Sequence, residues 1–275
     1  MTTIRSPISR RFSQISRIVL PAGLLLLSAC ATPVFEKQDG APARPTDVNA
    51  IPDAVPRVEP RSKYGNPPTY EVFGQRYHVM EVSDGFVEQG IASWYGTKFH
   101  NQRTSSGETY DMYAMTAAHK NLPLPTYARV TNLENGRSVI VKVNDRGPFA
   151  KNRVIDLSFT AATRLGIIAK GTGFVEIRAL DPRHPQTPLP AGQAPGQHAN
   201  VYLQVGSYTT RDKAERMLDR VNRALPVGAH IAEGVATQRT YYRVRIGPIS
   251  SVAEADKIAA ILTESGIEAP RVVAD

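Results

Sequence analysis

The stretch TSSGETYDMYAMTAAH, Thr104 to His119, gathers Glu108, Asp111 and His119 among small and aromatic residues, in a segment with neither helical nor strand periodicity. Two carboxyls and an imidazole are side chains with which an enzyme can move protons near neutral pH. The same residues also suit a connecting loop, in which Asp111 shapes a turn, Glu108 is solvated and His119 bonds to backbone. The other histidines, His78, His100, His184, His198 and His230, are scattered. No spacing resembles a zinc set, so no metal and no cofactor is expected.

The elements around this loop are mostly short strands. GIASWYG (Gly90 to Gly96), YARVTNL, SVIVKVN, RVIDLS and GFVEIRAL are rich in β-formers, and Asn135-Gly136 between the second and third is a hairpin signal. Ser158 can cap a short helix that turns Ala161, Ala162 and Leu165 to one side and that Gly166 can end. Many short strands with one small helix predict a compact barrel. Further on, VYLQVGSY and YYRVRIG read as strands. Thr209 or Thr210 can cap a helix with Ala214, Met217, Leu218 and Val221 on one face, and Ser251 to Glu254 has a capping-box pattern. The order is βαββαβ, a ferredoxin-like unit with one sheet face uncovered. Alternation puts Leu203, Val205, Tyr242, Val244 and Ile246 under the helices, and Tyr202, Gln204, Tyr241, Arg243 and Arg245 on the open face.

Composition divides the 275 residues. Prolines crowd residues 30–68 and 182–200, which read as a tether and a linker that cannot bury a core. Between and after them lie a barrel domain with an N-terminal extension, 69–181, and a smaller module, 201–275. Residues 1–29 have a basic start and an apolar run from Ile18 to Leu27 broken by Pro21, too short to span a bilayer and readable as a secretory signal. The formal charge is +8, but 1–29 holds four arginines and no acid, leaving 29 basic against 25 acidic side chains. That small excess, without a Lys/Arg run, fits an acidic cell-surface polymer as well as a nucleic acid. Cys30, the single cysteine, follows Leu-Ser-Ala.

Taken together, LSAC, GIASWYG, TSSGETYDM, TAAHKNLPL, VKVNDRGPF, RVIDLS and the terminal YLQVGSY and YYRVRIGP resemble the rare lipoprotein A family of bacteria. The resemblance covers the signal, about 90–181, and 201–275. It implies a six-stranded double-psi β-barrel followed by a sporulation-related repeat (SPOR) domain, joined by disordered linkers. It also implies lytic transglycosylase activity on peptidoglycan, with a preference for denuded glycan strands at the division septum. Cys30 would be the acylated first residue of the mature protein, and Ala31 after it favours the outer membrane. Division-site proteins are possible partners. The sequence departs from the family's pattern at Phe99-His100-Asn101 and Leu124-Pro125, which puts loop shape in question more than chemistry.

By the same resemblance, the active-site set is Glu108, Asp111 and His119, with Asp145 in NDRGP as a further polar member; Asp145 and Asp156 in RVIDLS together resemble the two aspartates of other double-psi barrel glycan-cleaving enzymes and of expansins, where the later one serves as the acid. Asp156, between Ile155 and Leu157, has the apolar setting that would raise a carboxyl pKa for use as a general acid. The other reading of Asp156 is a buried tie to backbone. Asp145, beside Arg146, suits an ionised, charge-stabilising role. Trp94 and Tyr95 could stack on sugar rings or fill the core. Gln204, Tyr241 and Arg243 could contact glycan on the open sheet face. A non-catalytic wall-binding protein, as expansins are, is the alternative in another class. An exported, lipid-anchored chain meets no genome, and no nucleic-acid motif is present.

Overall fold

In the computed structural model the described residues are 39–43, 47–184, 199–225, 228–236 and 239–275. The signal 1–29, Cys30 and most of the linker lie outside them. The elements in chain order are β1 (Thr69–Val72), β2 (Gln75–His78), β3 (Val87–Tyr95), β4 (Thr116–His119), β5 (Thr126–Asn132), β6 (Ser138–Asp145), β7 (Arg153–Ser158), α1 (Phe159–Leu165) and β8 (Gly173–Ala179). After the linker come β9 (Val201–Tyr208), α2 (Arg211–Ala224), β10 (Ala229–Ala236), β11 (Arg239–Ile246), α3 (Val252–Glu264) and β12 (Arg271–Ala274).

Six strands close into a barrel in the order β3-β7-β4-β6-β5-β8. The pairs β3/β7 and β4/β6 are parallel and the other four antiparallel. Strand alternation sends Ala92, Ala117, Ala128, Val130, Val141, Val143, Ile155 and Leu157 into one buried core. Helix α1 starts where the Ser158 hydroxyl accepts from the Ala161 N–H at 3.2 Å. It ends at Gly166, whose φ of 76° is left-handed. In the β5–β6 turn only Gly136 takes a positive φ. Asn135 uses its amide instead to donate to the Leu165 carbonyl at 3.0 Å, tying the turn to the end of α1.

Two segments differ from the sequence reading. Thr116–His119, read as loop, is a barrel strand between β6 and β7. Residues 47–68, read as tether, lie along the barrel. Val48 is buried, and Ile51 and Ala54 pack on the core. The Ala54 N–H donates to the Ile140 carbonyl at 3.1 Å, and the Ser62 N–H to the Leu124 carbonyl at 2.8 Å. An extended chain needs no hydrophobic run when a few small apolar residues and backbone bonds anchor it. The β1–β2 hairpin continues this extension.

The second module has the sheet order β10-β11-β9-β12, all pairs antiparallel, with α2 and α3 on one face. This is the ferredoxin-like order. A bulge between Val244 and Arg245 leaves Val205 without a direct partner. Thr210 stands at the start of α2 without a capping bond from its side chain. The module touches the barrel directly: Arg153 forks onto Asp256 at 3.1 and 2.9 Å, and the Ala274 N–H donates to Gln89 at 2.7 Å. The two domains are thus joined by more than their linker.

One side chain braces the barrel mouth. The Arg146 guanidinium donates to the carbonyls of Gly65 at 2.8 Å, His119 at 3.1 Å and Leu122 at 2.5 Å, and to Asn66 Oδ1 at 3.1 Å. Burial pushes its pKa down to about 10, so it stays charged at neutral pH. A lysine cannot reproduce this fork. Arg146→Lys should cost about 2–4 kcal/mol in a denaturant melt, because several buried carbonyls lose their donor; an unchanged midpoint would show that the brace is dispensable.

Candidate functional site

The site is built on one row across four strands. Asp156 on β7 pairs with Ser93 on β3 and with Ala118 on β4, and Ala118 pairs on its other side with Asp145 on β6. A bulge at Asn144 skips that residue and brings Asp145 level with Ala118. Residues paired directly across a sheet share a face, so the row lies on the barrel's outer side, opposite Ala92, Ala117 and Leu157. Next-but-one strands put the two aspartates about 10 Å apart at Cα. Ala118, 4% exposed, packs against Tyr95, Tyr110 and Met112.

Each aspartate has one oxygen tied. The Ser93 hydroxyl donates to Asp156 Oδ1 in a very short bond. Asp145 Oδ1 accepts from the Ser105 N–H at 2.8 Å, the Ser105 hydroxyl at 2.6 Å and the Arg146 N–H at 2.7 Å. Asp156 Oδ2 faces Gly147, whose φ of 138° excludes most side chains. Burial raises the pKa of Asp156 above the ordinary value of 3.8, against the lowering effects of Ser93, Arg153 and Lys120, with Asp39 adding a smaller upward push. Burial wins. Lys120 donates to the Arg153 carbonyl at 2.6 Å, and its own pKa is lowered by burial.

Beside the row lies a small apolar cluster of Tyr95, Tyr110, Met112 and Ala118. Tyr95 is 7% exposed and stacks on Tyr110 with centroids 4.1 Å apart, so its face has no room for a sugar ring. Burial, then Tyr110, then Asp145 and Asp156 push its hydroxyl well above the usual phenol range. Trp94, one residue earlier, points the other way, packing on the barrel core and edge-on to Phe159 at 6.1 Å. Neither aromatic is presented as a stacking platform.

The opening loop divides. Glu108 accepts from Lys142 Nζ at 2.8 Å and Asn144 Nδ2 at 2.7 Å, which holds it beside β6. Asp111, 55% exposed, accepts from the Tyr113 N–H at 2.9 Å and shapes a turn. It lies 3.8 Å from His100 Nδ1, but that nitrogen accepts from the Met112 N–H at 3.2 Å and so carries no proton for Asp111. His119 is 2% exposed and turns away from Ala118. Its Nδ1 accepts from the N–H groups of Asn121 at 3.1 Å and Leu122 at 3.0 Å, which places its proton on Nε2, 3.0 Å from Glu88. The structure therefore sets Asp145 and Asp156 in one row, ties Glu108 to Lys142 and Asn144 of β6, places Asp111 at an exposed turn, and bonds His119 to backbone and Glu88. Sequence reasoning missed Ser93 and Ser105. Alternation with Tyr95 could have placed Ser93 on the outer face, whereas Ser105 reaches Asp145 only through the fold.

On the second module, the register keeps Gln204, Tyr241 and Arg243 on the face away from the helices, together with Arg245. Arg245 lies 5.7 Å from the Tyr202 ring centroid and is ion-paired with Asp275. Gln204 also lines a cavity of about 720 Å³ between β12 and α3 of the module and β3 and β7 of the barrel.

A closed double-psi barrel with a half-buried acid on its flank, followed by a ferredoxin-like sheet module, defines the class of protein. Residues 87–177 match a family model described as lytic transglycolase, and 197–272 match the SPOR domain. The chain is 38% identical to the endolytic peptidoglycan transglycosylase RlpA of Pseudomonas aeruginosa, over 86% of this chain and 84% of that one. It is 41% identical to the protein of the same name from Neisseria meningitidis, over 74% of this chain and 82% of that one. Among solved structures it is similar to the RlpA SPOR domain of Pseudomonas aeruginosa, 29% identical over 26% of this chain and 96% of that chain, with a TM-score of 0.26. The chain belongs to the rare lipoprotein A family.

The raised pKa of Asp156 has a consequence for stability. The folded chain holds this proton more tightly than the unfolded one, so the contribution is full below 3.8 and is lost as pH rises through the higher folded value. Asp156→Asn has no proton to lose. Its thermal midpoint should therefore rise relative to the wild type between about pH 3 and pH 7; a midpoint difference, variant minus wild type, that stays constant or falls over that range in parallel melts would contradict the raised pKa of the acid.

Proposed function

We infer that the chain is an endolytic peptidoglycan transglycosylase in which Asp156 is the acid. The observation that carries this reading is the half-buried Asp156 carboxyl, one oxygen tied to Ser93 and the other facing Gly147, paired with Ala118, whose other partner is Asp145.

A transglycosylase must protonate the oxygen between N-acetylmuramic acid and N-acetylglucosamine as the bond from that oxygen to C1 of the muramic acid breaks. The same carboxylate then takes the proton of the C6 hydroxyl as O6 closes on C1, giving a 1,6-anhydro end and restoring the acid. One carboxyl serves both steps. Its raised pKa keeps more of it protonated than an exposed aspartate would be. Asp145, oriented by three hydrogen bonds on one oxygen, stands on the far side of Ala118, where a carboxylate would stabilise positive charge developing on the sugar ring. Glu108 extends the polar flank through Lys142 and Asn144. The SPOR module holds the barrel on the polymer, with the open face of Gln204, Tyr241 and Arg243 as its contact surface.

The same reading takes denuded strands at the division septum as the preferred substrate. It takes Cys30 as the lipid-bearing residue that fixes the chain to the outer membrane, facing the periplasm. The support for the anchor is the apolar run ending in Leu-Ser-Ala-Cys; several acyl chains, at about 0.8 kcal/mol per buried methylene, would hold such a chain firmly.

Two measurements test the reading. Mass spectrometry of glycan strands treated with the full chain should find 1,6-anhydro-muramic ends, and Asp156→Asn or Asp145→Asn should lower their yield by about two orders of magnitude or more with binding retained. Reducing ends only, or intact strands that are nevertheless bound, would sink the transglycosylase assignment. Cys30→Ala in an expressing bacterium should move the protein from the membrane to the soluble envelope fraction; unchanged membrane association would refute the anchor.

A further inference from the structure

Close to Asp156 a carboxylate already sits in a cradle of backbone donors. Asp39 Oδ1 accepts from the N–H groups of Gly96 and Lys98, both at 3.0 Å, and from that of its neighbour Gly40 at 3.0 Å; Oδ2 lies 3.1 Å from the Gly96 nitrogen. The Thr97 N–H donates to the Gly40 carbonyl at 3.0 Å. This turn is the exit of β3, the strand that carries Ser93 to Asp156. The Asp39 charge is close enough to push up the pKa of both Asp156 and Tyr110. Gly96 is required here, because a Cβ would stand 2.1 Å from the Gly40 carbonyl oxygen.

The occupant lies at the surface, with Gly40 and Pro42 half-buried. Asp39, Ala41 and Ala43 are exposed, so the segment rests on polar contacts with the turn and not on apolar burial. Successive backbone N–H groups converging on one point make an anion site independent of which carboxylate fills it. In the polymer of the proposed function, the sugar that supplies the reacting C1 also bears a lactyl ether at C3. That lactyl group ends in a carboxylate when no peptide is attached. With a peptide attached it ends in an uncharged amide, whose carbonyl oxygen can accept at the turn but whose N–H takes the place of the second oxygen and faces the Gly96 donor.

We propose that the Gly96–Lys98 turn is a carboxylate subsite for the lactyl group of a peptide-free muramic acid, and that Asp39 fills it until substrate displaces it. The proposal rests on the transglycosylase reading for the identity of the sugar. A carboxylate at the turn and C1 over Asp156 belong to one ring, so the subsite both selects the strand and sets its register against the acid. Asp39, carried on the same chain, is a competitor at high effective concentration.

The test uses the full chain carrying Asp156→Asn, which binds without cleaving, with and without Asp39→Ala. Each is titrated with a GlcNAc-MurNAc disaccharide as the free lactyl acid and as its lactyl methylamide, following the backbone amide resonances of Gly96 and Lys98 by NMR. Removing Asp39 should tighten the free acid by about 3–10-fold, as expected for losing a tethered competitor, and leave the methylamide unchanged. The Gly96 and Lys98 signals should move with the acid only. Asp39→Asn, which keeps the size and removes the charge, should act in the same direction. Equal changes for both ligands, no change for either, or still resonances at the turn would overturn the subsite. Because binding is read without cleavage, an absence of anhydro products from the wild-type chain would remove the transglycosylase reading and leave this result standing on its own.

Discussion

The pairing of Ala118 with Asp156 on one side and Asp145 on the other is the constraint on which the site depends. A four-residue strand, β4, is threaded between two longer ones, and the pairing fixes both carboxyls on the barrel's outer face. Neither aspartate could be placed by its own loop with that precision, since a strand held on both edges has no freedom to slip. Alanine is what the position needs. A larger side chain at 118 would collide with the cluster of Tyr95, Tyr110 and Met112, and its neighbours Ala117 and His119 are committed to the opposite face.

Electrostatics follow from that placement. Asp156 accepts a hydrogen bond from Ser93 and feels Arg153 and Lys120, all of which favour its charged form, yet burial outweighs them. The nearby positive charges are partly engaged elsewhere: Arg153 forks onto Asp256 of the second module, and Lys120 donates to a backbone carbonyl. Arg146 holds the loop after β4 by its carbonyls while its own N–H fixes Asp145, so one residue joins the brace of the barrel mouth to the orientation of the second aspartate. Stability and chemistry share the same side chain there.

Much of this was legible in the sequence. Alternating β-formers located most of the barrel strands, and Ser158 and Gly166 bounded α1, whereas Ile155 and Leu157 mark the core face of β7 and not the surroundings of Asp156. Other parts were not. Thr116–His119 is too short and too poor in β-branched residues to announce a strand, and without it the alternation that turns His119 away from Ala118 cannot be applied. Asp111 and His119 share no hydrogen bond with Glu108 among those the fold makes; one closes a turn and the other bonds to backbone and Glu88. Trp94 and Tyr95 were treated as a pair, although consecutive strand residues face opposite ways. The docking of residues 47–68 depends on isolated small side chains and backbone bonds, which composition does not register.

The central claim is that Asp156 is a carboxyl whose burial keeps its proton available to a leaving sugar oxygen. Its titration can be followed directly through the side-chain carboxyl carbon by NMR on the full chain. The account predicts a midpoint above the ordinary aspartate value of 3.8, lowered towards it when Met112, in the apolar cluster with Ala118, is replaced by a smaller residue that admits water. A midpoint at or below 3.8 in the intact protein would contradict it.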